Sequence, residues 1–164
     1  MKRTICLALV LLLSMCAISC GGGANSEARA YTFSKGSVEI AIGDEVAPIL
    51  ASLGTWNDYV ESPSCGFTGV SKLYSYTSLD IETYPMDGKD YVYMIQIKDD
   101  SVATKEGIRI GDKKDAVTAA YGTPAQESDS MLVYRADGMY LRVLLKNGSV
   151  TKIQYLHSNA IENN

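Results

Sequence analysis

Few side chains in this sequence are equipped for chemistry. His157 is the only histidine among 164 residues, and the cysteines are Cys6, Cys16, Cys20 and Cys65. Cys65 stands in "SPSCGFTG", where a reactive thiolate would need a cation or base nearby, and Lys72 or His157 are the options. Buried, the same residue is a small inert hydrophobe; exposed, it can pair with a thiol of another chain, and the residue pattern leaves all three roles open. Asp80, Glu82, Asp87, Asp90, Asp99 and Asp100 lack the loop spacing, central Gly and terminal Glu of a calcium site. Asp80 and Glu82 alternate with Leu79 and Ile81, which reads as the solvated side of a strand. No zinc-protease helix, paired CxxC, GxSxG elbow or phosphate loop occurs. The expectation is a protein with no catalytic set, no metal and no cofactor.

Tyrosine is the unusual component, with eleven Tyr beside two Phe and one Trp. Tyr suits both strand packing and recognition, because it offers a rigid apolar area with a polar tip. Trp56, Tyr74, Tyr76, Tyr93 and Tyr134 are the candidate binding residues; Trp56 follows the first expected helix, and the tyrosines lie in expected strands.

The elements that must carry these residues begin after an export signal: Lys2 and Arg3 precede an apolar run from Ile5 to Leu13. The apolar stretch from Thr4 to Ser19 falls short of the roughly 20 residues that span a bilayer. It ends in "CAISCGGG", which resembles the lipobox of bacterial lipoproteins and implies acylation of Cys20, two acyl chains sufficing for stable anchoring. Residues 1–19 are then the signal peptide and 20–35 the lipidated Cys and a flexible tether. The expected location is the extracytoplasmic face of a cell membrane, or the outer membrane where there is one. With Cys6 and Cys16 removed and Cys20 lipidated, no internal disulfide is available to Cys65. A formal charge of −4, made more negative by loss of Lys2 and Arg3, argues against nucleic acid as a partner.

The body contains one phrase twice, "IAIGDEVAPILASLGT" and "IRIGDKKDAVTAAYGT". Each reads as a strand, an Asp N-cap (Asp44, Asp112), a helix and a Gly stop (Gly54, Gly122). Strand signals follow each helix, with Asp87-Gly88, Asp137-Gly138 and Asn147-Gly148 marking hairpins. The expected fold is α+β: two tandem helix-plus-three-strand antiparallel repeats forming one pseudo-symmetric body, with repeat 1 over 36–103, repeat 2 over 104–158 and a disordered tail over 159–164. The segment from Thr55 to Lys72 reads as an extra loop of the first repeat.

The pattern "IGD…V…LG" ahead of antiparallel strands resembles the outer-membrane assembly lipoproteins of the SmpA/OmlA, BamE-like type. Its duplication is similar to the β-lactamase inhibitor protein. The stretches "ESPSCGFTG", "TYPMDGKDYV", "DDSVATKEGIRIGD" and "AYGTP" resemble lipoproteins of gut Clostridia over almost the whole mature chain. The resemblance implies a non-catalytic role in binding or scaffolding an envelope protein, with a structural envelope protein or an enzyme using Cys65 as the rival readings. Inhibition of β-lactamase is not carried over. Replacing Cys20 with Ala should release the protein from membranes and abolish fatty-acid labelling; a variant that keeps both has an ordinary signal peptide and an incidental cysteine.

Overall fold

Alternation of β-branched and aromatic residues with polar ones dominates the chain, and strands dominate the structure. The computed structural model describes residues 30–64 and 66–162; the signal segment, Cys20 and Cys65 lie outside them. In order come β1 (Thr32–Lys35), β2 (Val38–Ala41), α1 (Val46–Leu53), β3 (Asp58–Pro63), β4 (Val70–Ser75), β5 (Leu79–Met86) and β6 (Lys89–Ile97). Then follow α2 (Lys114–Tyr121), β7 (Gln126–Glu127), β8 (Met131–Ala136), β9 (Met139–Lys146), β10 (Ser149–His157) and the single turn α3 (Asn159–Glu162). Strands β3 to β10 form one antiparallel sheet in the order β3-β4-β5-β6-β10-β9-β8-β7, and β1 and β2 pair separately.

The expected α+β body of two helix-plus-three-strand repeats is therefore corrected. Among the described residues the structure is mostly β, 49% strand and 14% helical, with an eight-stranded sheet and a two-stranded one. Three local causes account for the difference. The Thr55–Lys72 segment is not an extra loop: it contributes β3 and the start of β4, paired from Asp58↔Ser75 to Pro63↔Val70. The run "LYSYTSLDIETYP" is broken by a turn in which Tyr76 N–H donates to the Leu79 carbonyl at 2.8 Å, so it yields two strands. Residues 32–41, ahead of the first helix, form the β1–β2 hairpin, with Gly36 at φ 63° in its turn.

The repeated phrase works differently from a helix cap. Glu45 and Lys113, not Asp44 and Asp112, precede the helices, and neither makes a side-chain cap bond. The Asp44 carboxylate instead accepts the Ala41 N–H at 2.8 Å, and Asp112 accepts the Arg109 N–H at 2.7 Å. Each thereby closes the turn before its helix, and the turn docks on the sheet. Gly43 N–H reaches the Val92 carbonyl while Val92 N–H returns to Asp44; Gly111 and Asp112 do the same with Val150. The hairpins marked by Asp-Gly and Asn-Gly form as expected, with positive φ at Asp87, Asp137 and Asn147 and at the glycine after each.

One sheet face carries Ile81, Ile95, Tyr155, Leu141 and Tyr134 in successive cross-strand register, all in the main core. Val46 and Ile49 of α1, Val117 of α2, and Phe33 and Ile40 of the β1–β2 hairpin cover that face. The opposite face carries a polar ladder across four strands. Gln96 reaches Asp80, Gln154 Nε2 donates to Gln96 Oε1 at 2.9 Å, and Arg142 Nε donates to Gln154 Oε1 at 2.9 Å. Gln154 is nearly buried, so its loss would strand two polar groups that water reaches poorly. Gln154→Ala should cost about 1–3 kcal/mol in urea unfolding. A variant as stable as the parent would show that the ladder contributes nothing to the central pairing.

Candidate functional site

The residues expected to bind a partner are divided between the two faces. Trp56 and Tyr74 meet edge to face at 5.1 Å, and Tyr59, which the sequence reading did not single out, completes a three-ring group at 5.1 Å from Tyr74 and 6.3 Å from Trp56. Tyr74 is buried and forms the floor of this group, whereas Trp56 and Tyr59 are each 39% exposed and Val60 is 49% exposed. The Tyr59 hydroxyl donates to the Glu61 carboxylate, which holds the phenol proton and pushes its ionisation upward. Tyr76 is buried nearby, with its hydroxyl donating to the Gly54 carbonyl at 3.4 Å and Lys35 Nζ 5.3 Å from its ring centre. Tyr134 lies in the core of the other half against Tyr121, and its hydroxyl has no hydrogen-bond partner among the described residues.

Tyr93 belongs to a second aromatic group on the open face. Phe67, Tyr84, Tyr93 and His157 are all in mutual contact, with Phe67 stacked on Tyr84 at 4.3 Å and Tyr93 stacked on His157 at 5.9 Å. They come from the β3–β4 connection, β5, β6 and β10, so the group ties a loop of the first half to the last strand of the second. A register shift between Glu82 and Thr83, where Tyr93 is the unpaired residue of β6, contributes to this arrangement. The alternation of aromatics in β5 and β6 was visible in the sequence; the partnership with Phe67 and His157 was not, because it needs residues about ninety positions apart in the chain.

Charge on the sheet is largely paired. Lys72 Nζ sits 2.7 Å from Asp90, which stabilises its charged form, and Lys98 is 3.1 Å from Asp80. Asp80, read as solvated, is thus an ion-pair member, and Glu82, read the same way, is partly covered by the β3–β4 loop. His157 Nδ1 accepts the Asn159 N–H at 3.3 Å, and burial pushes its pKa down. Among the described residues, no group of three or more His, Cys, Asp or Glu side chains could hold a metal ion, and no helix is long and apolar enough to cross a membrane. No family model, curated protein or solved structure matches the chain.

The half-buried imidazole makes a signed pH prediction. Because the folded state disfavours protonated His157, the unfolded chain takes up that proton first as pH falls below about 6.5, and folding stability declines through that window. His157→Phe keeps a ring in the cluster and removes the titration. Urea midpoints measured at pH 7.5 and 5.5 should differ less in the variant than in the parent; an equal difference would assign the pH response to other groups.

Proposed function

We propose that the chain is a membrane-anchored bacterial lipoprotein whose β body binds another cell-envelope protein without catalysing a reaction. The observation that carries this reading is the pair of exposed rings Trp56 and Tyr59 at the β3 edge of the sheet, with exposed Val60 on the other side of the same strand. Both rings rest on buried Tyr74, and rigid aromatic area of this kind is what protein interfaces are enriched in. The resemblance of the leader to a lipobox and of the "IGD" phrases to envelope assembly lipoproteins and to a protein inhibitor points the same way. Anchoring through Cys20 and a Gly-rich tether would hold the body off the lipid, with the partner supplied by the envelope.

The side chains, rather than the main chain, are the expected point of contact. The Tyr59 N–H already donates to the Asp58 carboxylate at 2.9 Å, and Pro63 has no N–H to offer. In-cell crosslinking of the tagged protein, read by mass spectrometry beside a Trp56→Ala/Tyr59→Ala variant, tests the reading. One dominant envelope protein, lost in the variant while its circular dichroism is unchanged, is the expected result. No enriched protein, or equal capture by the variant, would remove the partner reading.

A further inference from the structure

A small cavity of about 100 Å³ lies where the β3–β4 loop folds back over the open sheet face. Its lining includes Glu82, Phe67 and Tyr93, and Ser62, Ser64 and Ser71. The loop that walls the cavity is held in place by backbone and packing constraints. Gly69 has φ 128°, and a Cβ there would stand 2.8 Å from Pro85 Cγ, so only glycine lets the loop press this closely on β5. Ser64 N–H closes the loop on the Gly69 carbonyl at 3.0 Å, and the Phe67–Tyr84 stack fixes its other side.

Glu82 is the anomaly of this site. It makes no hydrogen bond or ion pair with any described residue, and burial alone raises its pKa. Lys72 is held by Asp90, Lys98 by Asp80, and Arg142 donates to Gln154. A partly desolvated carboxylate with no counter-ion among the described residues gains most from a cation brought from outside. The cavity specifies which cation. Phe67 and Tyr93 stand nearly perpendicular at 5.9 Å, and aromatic faces attract an organic cation. The three serine hydroxyls can each accept one N–H. One carboxylate is too few ligands for a divalent ion, and the small volume favours the compact ammonium head over a planar guanidinium fork.

We propose that this cavity binds a primary alkylammonium group, with Glu82 as counter-ion, Phe67 and Tyr93 as aromatic walls and the serine hydroxyls as acceptors. The group can arrive as a free small amine or at the end of a lysine side chain; the chemistry at the cavity is the same. The inference does not depend on the Trp56 surface, which lies at a separate place on the sheet.

The test is an amide-resolved NMR titration of the whole chain with n-butylammonium, with n-butanol as the uncharged control and Nα-acetyl-lysine methylamide as the side-chain source. Saturable shifts at Ser71, Glu82 and Tyr93 with the amine, absent with the alcohol, are expected. Glu82→Gln should weaken binding by at least about tenfold. That variant should also be no less stable than the parent at pH 7, because it removes a desolvated charge, so lost binding cannot be ascribed to misfolding. Gly69→Ala, which lifts the loop from Pro85, should weaken binding with Glu82 intact. If the lysine derivative binds as well as the free amine, the source is a partner's side chain; if only the free amine binds, it is a small metabolite. Absence of saturable shifts, equal response to the alcohol, or undiminished binding by Glu82→Gln would each overturn the proposal.

Discussion

Everything in this body hangs on one antiparallel pairing, that of β6 with β10. It runs from Ile153↔Ile97 to Leu156↔Met94 and is the only contact in the sheet order between the strands β3 to β6 and the strands β7 to β10. Hairpins can assemble locally on either side of it, but this pair must be found across more than fifty residues of chain, at a cost in loop-closure entropy. A slip of one residue would turn Gln154 into the core and Tyr155 out of it. The side chains oppose that slip on both faces. Ile95 and Tyr155 lock into the main core, while Gln154 is fixed between Arg142 and Gln96.

The same pairing separates the sheet into surfaces of different character. Helices α1 and α2 and the β1–β2 hairpin seal one face, each docked through a turn closed by Asp44 or Asp112 in the case of the helices. The other face keeps polar side chains beside a small apolar cluster of Val133, Tyr140 and Leu156, with Ala160 of α3 packed against it. There the β3–β4 loop approaches Pro85 closely at Gly69, and the four-ring group anchors it to β10. Both features that distinguish this protein from a plain sheet, the exposed Trp56–Tyr59 group and the Glu82 cavity, are therefore built by one short segment between Thr55 and Val70.

The ends of the sheet are handled by different means. At one end β7 is only two residues long, too short to template another strand. At the other, β3 is exposed along its whole length, yet Asp58 occupies the Tyr59 amide and Pro63 presents none. These acidic and proline blocks discourage pairing with a second chain while leaving the aromatic side chains available.

By itself the sequence determined the elements whose cause is local. Asp87-Gly88, Asp137-Gly138 and Asn147-Gly148 specify their hairpins because few other dipeptides tolerate two positive φ angles in succession, and Gly54 and Gly122 end their helices for a related reason. The strong alternation in β5 and β9 was equally legible. Tertiary structure decided what depends on distant partners. "DYVESP" carries no periodic signal and reads as loop, and it is a strand because β4 offers it a ladder. Asp44 and Asp112 look like helix caps because a capping Asp and an Asp closing the preceding turn occupy almost the same place in the chain; the docking of that turn on β6 or β10 selects the second. Glu82 reads as solvated from its alternation, and it is the folded loop, admitted by a glycine thirteen residues away, that partly covers it. Turn chemistry is written residue by residue, whereas burial is a property of what the chain brings back to cover it.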